Sequence, residues 1–291
     1  MAEVAVRLVG GLGNQLFQYA AARSVAMRTG ANLRLDLSWF GTDPNRAYAL
    51  APFQIQAETY CERAVTQRKL SLTNLLHRIK CILIKEEQGI PKYTEKSFRF
   101  DSALETTNAP IYLEGYFQSE KYFNSIFKNI VNEFSIKENP KPESKLMLDE
   151  IRGSESICVH IRRGDYVNNS KTSAYHGICS MDYYARGIQA IASGLAEPHC
   201  FVFSDEPEWV RKNFESVYQF TVVDIHGLSE AHEDLRLMSA CQHFVIANSS
   251  LSWWGAWLGQ NTNKKVVAPN KWFQDGGVDT SDLLPQNWIR L

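Results

Sequence analysis

Residues 4–37 read VAVRLVGGLGNQLFQYAAARSVAMRTGANLRLDL, and the pattern changes three times within them. Residues 4–9 are a short apolar run suited to a strand. Gly10-Gly11-Leu12-Gly13 is a turn. From Asn14 onward to Thr29, alanines and apolar residues recur at helical spacing, and Gly30 stands where a C-terminal cap glycine would. Residues 32–37 form a second strand. Strand, glycine turn, helix and strand in that order make one nucleotide-binding-type α/β unit.

Working outward, residues 111–115 read as a strand and 122–134 as a helix. Asn139-Pro140-Lys141-Pro142-Glu143 is a break, because two prolines disfavour continued regular structure. A helix over 143–152 could cross between domains. A second alternation then begins, with strands expected at 156–161, 199–203, 220–223, 243–247 and 264–268. Helices are expected at 182–192, 233–241 and 252–258. The chain therefore reads as two α/β halves, 1–152 and 153–291, each with strands covered by helices on both faces. Residues 62–85 are a basic, partly apolar helical stretch. They read as a solvated helix packed on one face, with a membrane-surface role as the alternative.

Composition narrows the function classes. The chain has 291 residues, 44% hydrophobic and 22% charged, which fits a globular protein. A net charge of -1 argues against a nucleic-acid partner, so any anion site must be a local cluster. Six cysteines show no Cys-x-x-Cys spacing, so neither a zinc site nor a redox pair is signalled. Cys158, Cys200 and Cys241 lie in or beside apolar runs and are expected to be buried thiols. With no basic leader and no bilayer-length apolar run, the expected location is the cytoplasm, with at most peripheral contact at the inner face of the membrane.

Five motifs could carry chemistry. In Gly10-Gly11-Leu12-Gly13-Asn14-Gln15, the glycines admit a ligand close to the backbone and the helix start offers N–H groups to an anion. A dinucleotide fingerprint would need glycine at Leu16. Asp36, at the end of the next strand, keeps that reading alive. His160-Ile161-Arg162-Arg163-Gly164-Asp165 emerges at the C-terminal end of an apolar strand, where open α/β sheets bind ligands. Arginine matches phosphate oxygens with a planar fork of donors, and of two adjacent arginines one is expected to face the ligand. Ser204-Asp205 could bind a ribose or base, or cap the helix that follows. Asp234 could accept from guanine N1–H and N2–H, or simply match a helix dipole. Ser249 and Ser250 precede a helix and could hold phosphate or cap it. Trp253, Trp254 and Trp257 read as core rather than as a sugar platform.

The combination resembles the bacterial α-1,2-fucosyltransferases, glycosyltransferase family 11. Residues 10–20 look like that family's N-terminal signature, 160–165 its His-x-Arg-Arg-Gly-Asp motif, and 248–254 its third motif. Gly115-Tyr116-Phe117-Gln118-Ser119 and Pro285-Gln286-Asn287-Trp288 are also similar. The resemblance spans the chain and shows no departure at these positions. It implies a GT-B-like fold with two Rossmann-like domains facing a central cleft. The 1–152 domain would lie on the acceptor side and the 153–291 domain would bind GDP-fucose.

The resemblance further implies transfer of L-fucose with inversion to a galactose-terminated oligosaccharide, forming an α-1,2 linkage. Neither metal nor other cofactor is implied, and the chain has no Asp-x-Asp pair of the kind that holds a diphosphate through a cation. By the same resemblance Arg162 contacts the β-phosphate and Asp234 the guanine. Ser249 and Ser250 touch the diphosphate, and Gly13 and Asn14 reach the cleft. Asp165 and His160 flank the arginines and are the nearest candidates for a general base, Asp165 ahead of His160. Asp165 could instead be the ion-pair partner that aims an arginine. Two rivals stay open: an NAD-dependent oxidoreductase, and a non-catalytic nucleotide-sugar or glycan-binding protein.

Overall fold

The computed structural model describes residues 2–61, 90–164, 175, 177–227, 230–274 and 277–291. The basic stretch 62–85 and Asp165 lie outside them. The chain divides into two compact units, Met1–Ser135 and Ile136–Leu291. The division precedes the 152 boundary expected from sequence. The helix α4 (Pro142–Arg152) packs with the second unit, on strand β6 (Glu155–Ile161) and helix α7 (Ala231–Ala240), instead of bridging the two.

In the first unit, β1 (Glu3–Arg7) leads through the glycine turn into α1 (Leu12–Thr29) and then β2 (Asn32–Asp36). Gly30 closes α1 in the left-handed conformation, φ 66°, and donates its N–H to the last turn. The strands β3 (Glu58–Tyr60), β4 (Lys92–Thr94) and β5 (Ile111–Glu114) complete a five-stranded sheet of order β3-β2-β1-β5-β4, parallel throughout. Sequence patterning missed β3 and β4, which are three residues each and too short to show a period. The helix α2 (Ala103–Thr106) is a single turn. The expected 122–134 helix is instead two 3₁₀ turns followed by α3 (Phe127–Glu133).

In the second unit, β6 and β7 (Pro198–Ser204) are nearly continuous buried runs, ESICVHI and PHCFVFS, as strands covered on both faces must be. The chain continues through α5 (Met181–Ala192) between them, then α6 (Pro207–Asn213), β8 (Gln219–Val223), α7, β9 (His243–Val245), α8 (Ser250–Leu258), β10 (Val266–Ala268) and β11 (Ile289–Arg290). The sheet order is β11-β10-β9-β6-β7-β8, again all parallel. Counted from β6, that is the 3-2-1-4-5-6 order of a dinucleotide-binding fold. The fold is α/β with two Rossmann-like units, as the sequence implied.

Trp253, Trp254 and Trp257 are buried on α8 in edge-to-face and stacked contacts, and Trp253 donates to Leu283 O at 2.9 Å. They are core, as expected. Cys158, Cys200 and Cys241 are buried free thiols, also as expected, and burial pushes the Cys200 thiol up to about 12.

Candidate active site

Parallel sheets take ligands in the crevice where the strand order reverses. In the second unit the reversal falls between β6 and β9, which pair in register at Val159 and Val245. Three residues beyond that pair stand Arg162 on one strand and Asn248 on the other. Adjacent strands lie about 4.8 Å apart, so 160–164 and 246–250 leave the sheet side by side.

Arg162 is aimed from the other neighbour. Ile161 pairs with Ser204, so Asp205 follows beside Arg162. An Asp205 oxygen lies 3.2 Å from Arg162 Nη1, and its two oxygens also accept the N–H groups of Arg163 and Gly164, each at 2.9 Å. An added Cβ at Gly164 would stand 2.7 Å from that carboxylate, which explains the glycine. One carboxylate thus fixes both the loop and the guanidinium, whose side chain keeps 23% exposure.

Arg163 is held elsewhere. Its Nε donates to Glu206 at 3.2 Å and its guanidinium lies 3.5 Å over the Trp209 ring. The two arginines are thus held by different partners, Arg163 by Glu206 and Trp209 at the start of α6 and Arg162 beside Asp205. Ser204 accepts the N–H of Glu206 at 3.0 Å, a local turn bond, while the cap residue of α6 is Glu206 and has no side-chain capping bond, so the expected cap is not formed.

Ser249 is the N-cap of α8, yet its hydroxyl makes no capping bond. The first N–H groups of a helix have no intrahelical partner, so with Ser249 and Ser250 they form a donor cluster suited to an anion. Asn248, buried behind, donates to Trp272 O at 3.1 Å and pins the strand end.

Asp234 sits in the first turn of α7, on the same edge of the sheet. Its Oδ1 accepts from His226 Nδ1 at 2.8 Å, and His226 Nε2 meets the Ser144 hydroxyl at 2.8 Å. A carboxylate only accepts, so Nδ1 carries the proton and Ser144 donates to Nε2. Asp234 remains 33% exposed while the His226 side chain is buried. Neither His226 nor Ser144 was singled out from sequence. The available signal was position: His226 follows a strand, and Ser144 begins a helix that ends at β6.

In the first unit β1 is central, with β2 on one side and β5 on the other. Gly10 has φ 75°, and an added Cβ there would approach Asn14 Nδ2 to 2.6 Å. The turn is braced by amides. Gln15 donates to Gly10 O and Ala47 O and accepts from Ala49 N, while Gln18 joins Val9 N to Gly115 O. Gln118 donates to Asn14 Oδ1 at 2.9 Å, linking the turn to the end of β5. Gly13 is buried in the first turn of α1. Asp36 is buried, accepting Ser38 N at 2.8 Å and Tyr112 Oη at 2.6 Å. It has no carboxylate oxygen facing a ribose, which removes the ground for the NAD-dependent reading.

Residues 2–291 match the family described as Glycosyl transferase family 11. The chain belongs to that family. Family 11 relatives include an alpha-1,2-colitosyltransferase from Escherichia coli, 32% identical over all of this chain and 99% of the relative. The O-antigen biosynthesis glycosyltransferase WbnK, also from Escherichia coli, is 34% identical over 98% of this chain and 99% of its own. A Galactoside 2-alpha-L-fucosyltransferase from Caenorhabditis elegans is 32% identical over 60% of this chain and 51% of its own length. Membership in this family makes the chain a glycosyltransferase rather than an oxidoreductase.

Within this family 11 unit, His160 lies inside β6 rather than at its mouth. It is 4% exposed and its Nδ1 has no hydrogen-bond partner. Burial pushes its pKa down to about 4, with Arg162 adding to the fall and Asp205 opposing it. A neutral, enclosed imidazole is a poor base near neutral pH. A cavity of about 290 Å³ opens further along the edge, lined among others by Cys179, Tyr183, Asn248 and Lys271. It shares only Asn248 with the motifs above. No described helix is long and apolar enough to cross a membrane.

Proposed function

We propose that this family 11 enzyme transfers L-fucose from GDP-fucose, with inversion, to O2 of a terminal galactose. The reading rests on one observation above all: Arg162, fixed by Asp205, stands at the sheet reversal beside the uncapped start of α8. The second unit is the donor side in this reading and the first unit the acceptor side. The acceptor oxygen attacks the anomeric carbon as its bond to the diphosphate oxygen breaks. The electron pair goes to the leaving phosphate, where Arg162, Ser249, Ser250 and the helix N–H groups meet the charge. Asp234, held by His226, accepts from guanine. The acceptor proton goes to a carboxylate, for which Asp165, three positions after Arg162 in the sequence, is the candidate. No metal is required, because cationic and backbone donors supply the field. The acceptor is a galactose-terminated oligosaccharide, and the name of the relative WbnK suggests O-antigen assembly as its setting.

A second reading concerns only the donor. The colitosyltransferase relative spans the whole chain, and colitose is fucose without its 3-hydroxyl. Incubating the purified chain with GDP-fucose or GDP-colitose and a panel of β-galactosides, read by mass spectrometry, separates the two. Fucosyl product with GDP-fucose at the higher kcat/KM is the expected result. Preference for GDP-colitose moves the donor to the second reading, and no transfer from either sinks both.

A further inference from the structure

We propose that Tyr116 and Phe98 form a platform in the first unit that takes the C–H face of a neutral pyranoside. The inference builds on the acceptor being a glycoside, as proposed above, but assigns it a place on this chain.

The turn 115–118 follows β5, which pairs with β1, and is tied to the first turns of α1 through Gln18 and Asn14. Its backbone is strained and tightly held. Phe117 has φ 53°, a conformation that costs a non-glycine residue free energy unless its surroundings impose it. Here they do. The two oxygens of Glu95 accept the N–H groups of Tyr116 at 2.6 Å and Phe117 at 2.9 Å. An added Cβ on Gly115 would collide with the Glu95 side chain. Gln18 holds Gly115 O, Gln118 reaches Asn14, and Ser119 N donates to Phe117 O. Phe117 itself is buried, in contact with Tyr122 and Tyr93.

The product of all this bracing is the position of Tyr116. It is 39% exposed, although an aromatic ring gains most from burial. Its ring lies parallel to Phe98, 10° between planes, with centroids 6.2 Å apart. That separation is too long for a face-to-face stack, so the parallel rings are offset and overlap little. A pyranose ring with several axial C–H bonds on one side offers a matching apolar face. Glu95 spends both carboxylate oxygens on backbone N–H groups of the turn, and the amides of Gln118 and Asn14 at the glycine turn suit hydroxyl groups. A strained turn that holds an exposed aromatic pair in place points to the apolar face of a sugar.

The test is saturation-transfer NMR on the full chain with methyl β-D-galactopyranoside, in the presence of excess GDP, with GDP binding followed in parallel by calorimetry. Transfer should be strongest to the hydrogens of one sugar face. Tyr116→Ala and Tyr116→Leu should weaken galactoside binding roughly tenfold, and Tyr116→Trp should retain it, with Phe98→Ala intermediate. GDP affinity should not change in any of them. Tyr116 is exposed, and the Leu and Trp variants keep an apolar side chain if Ala perturbs the turn. Equal galactoside binding by native, Ala and Leu proteins overturns the platform, as does an absence of transfer in the native protein. Failure of GDP to bind the native protein instead defeats the donor reading and leaves the galactoside result to be judged by itself.

Discussion

The two units are both all-parallel sheets but differ in strand order and in the chemistry at their strand ends. At the ends of β6 and β7 the groups are charged: Arg162, Arg163, Asp205 and Glu206, with Asp234 in the first turn of α7. At the ends of β1 and β5 the Arg7–Glu114 ion pair stands with amides and rings: Asn14, Gln15, Gln18, Gln118 and Tyr116. Buried carboxamides satisfy backbone groups at no Coulombic cost, whereas the arginines need carboxylates to be held at all. The proposed donor site therefore draws on charged groups and the proposed sugar platform on rings and amides.

The comparison fails most sharply if the charged crevice does not depend on charge. Arg162→Ala is expected to lower kcat at least a hundredfold, and Arg162→Lys to recover little of it, because a lysine lacks the planar fork. Steady-state turnover reads this, and a lysine enzyme near native rate would remove the bidentate role. Asp205→Asn should follow with a loss of roughly tenfold to a hundredfold in kcat/KM, since one group aims Arg162 and accepts two backbone N–H groups. If Asp205 only braces the loop, the loss should appear as a lower melting temperature with kcat intact.

Smaller effects sharpen the same contrast. Asp234→Ala should narrow the preference for GDP over ADP as inhibitor by roughly tenfold, and His226→Ala by about half as much on a logarithmic scale. Equal inhibition by both nucleotides in the native protein would disprove the guanine assignment. The smallest effect concerns stability. The folded His160 binds a proton only near pH 4, while an unfolded histidine does so near about 6.5. The unfolded state therefore binds more protons between those values, and stability should fall as pH drops through that window while staying intact above it. Urea titrations of native and His160→Gln proteins from pH 7 to 4 measure the difference. Parallel curves would mean that the imidazole is not shielded as its burial suggests.

Much of the fold was legible because the strands of parallel sheets announce themselves as apolar runs. β6 and β7 were found from sequence for that reason, and α1 from its period and Gly30. β3, β4 and β11 were not, since two or three residues carry no periodicity. At the site, the arginine pair and the serines before α8 were readable as residue types at strand ends. The partners were not: Glu95, Glu206 and Trp209 carry no motif, and the links from Ser144 to His226 and Asp234 join three separate elements.

By itself, the sequence determined two α/β halves, a phosphate-suited loop at 160–164 and a resemblance to family 11. Those follow from local properties, namely periodicity, glycine placement and side-chain chemistry. Only the tertiary structure decided that Glu206 and Trp209 hold Arg163, that an Asp205 oxygen lies beside Arg162, and that Asp36 is closed off by Tyr112. Each is a contact between segments tens of residues apart. Such contacts depend on strand order and register, which no local pattern encodes.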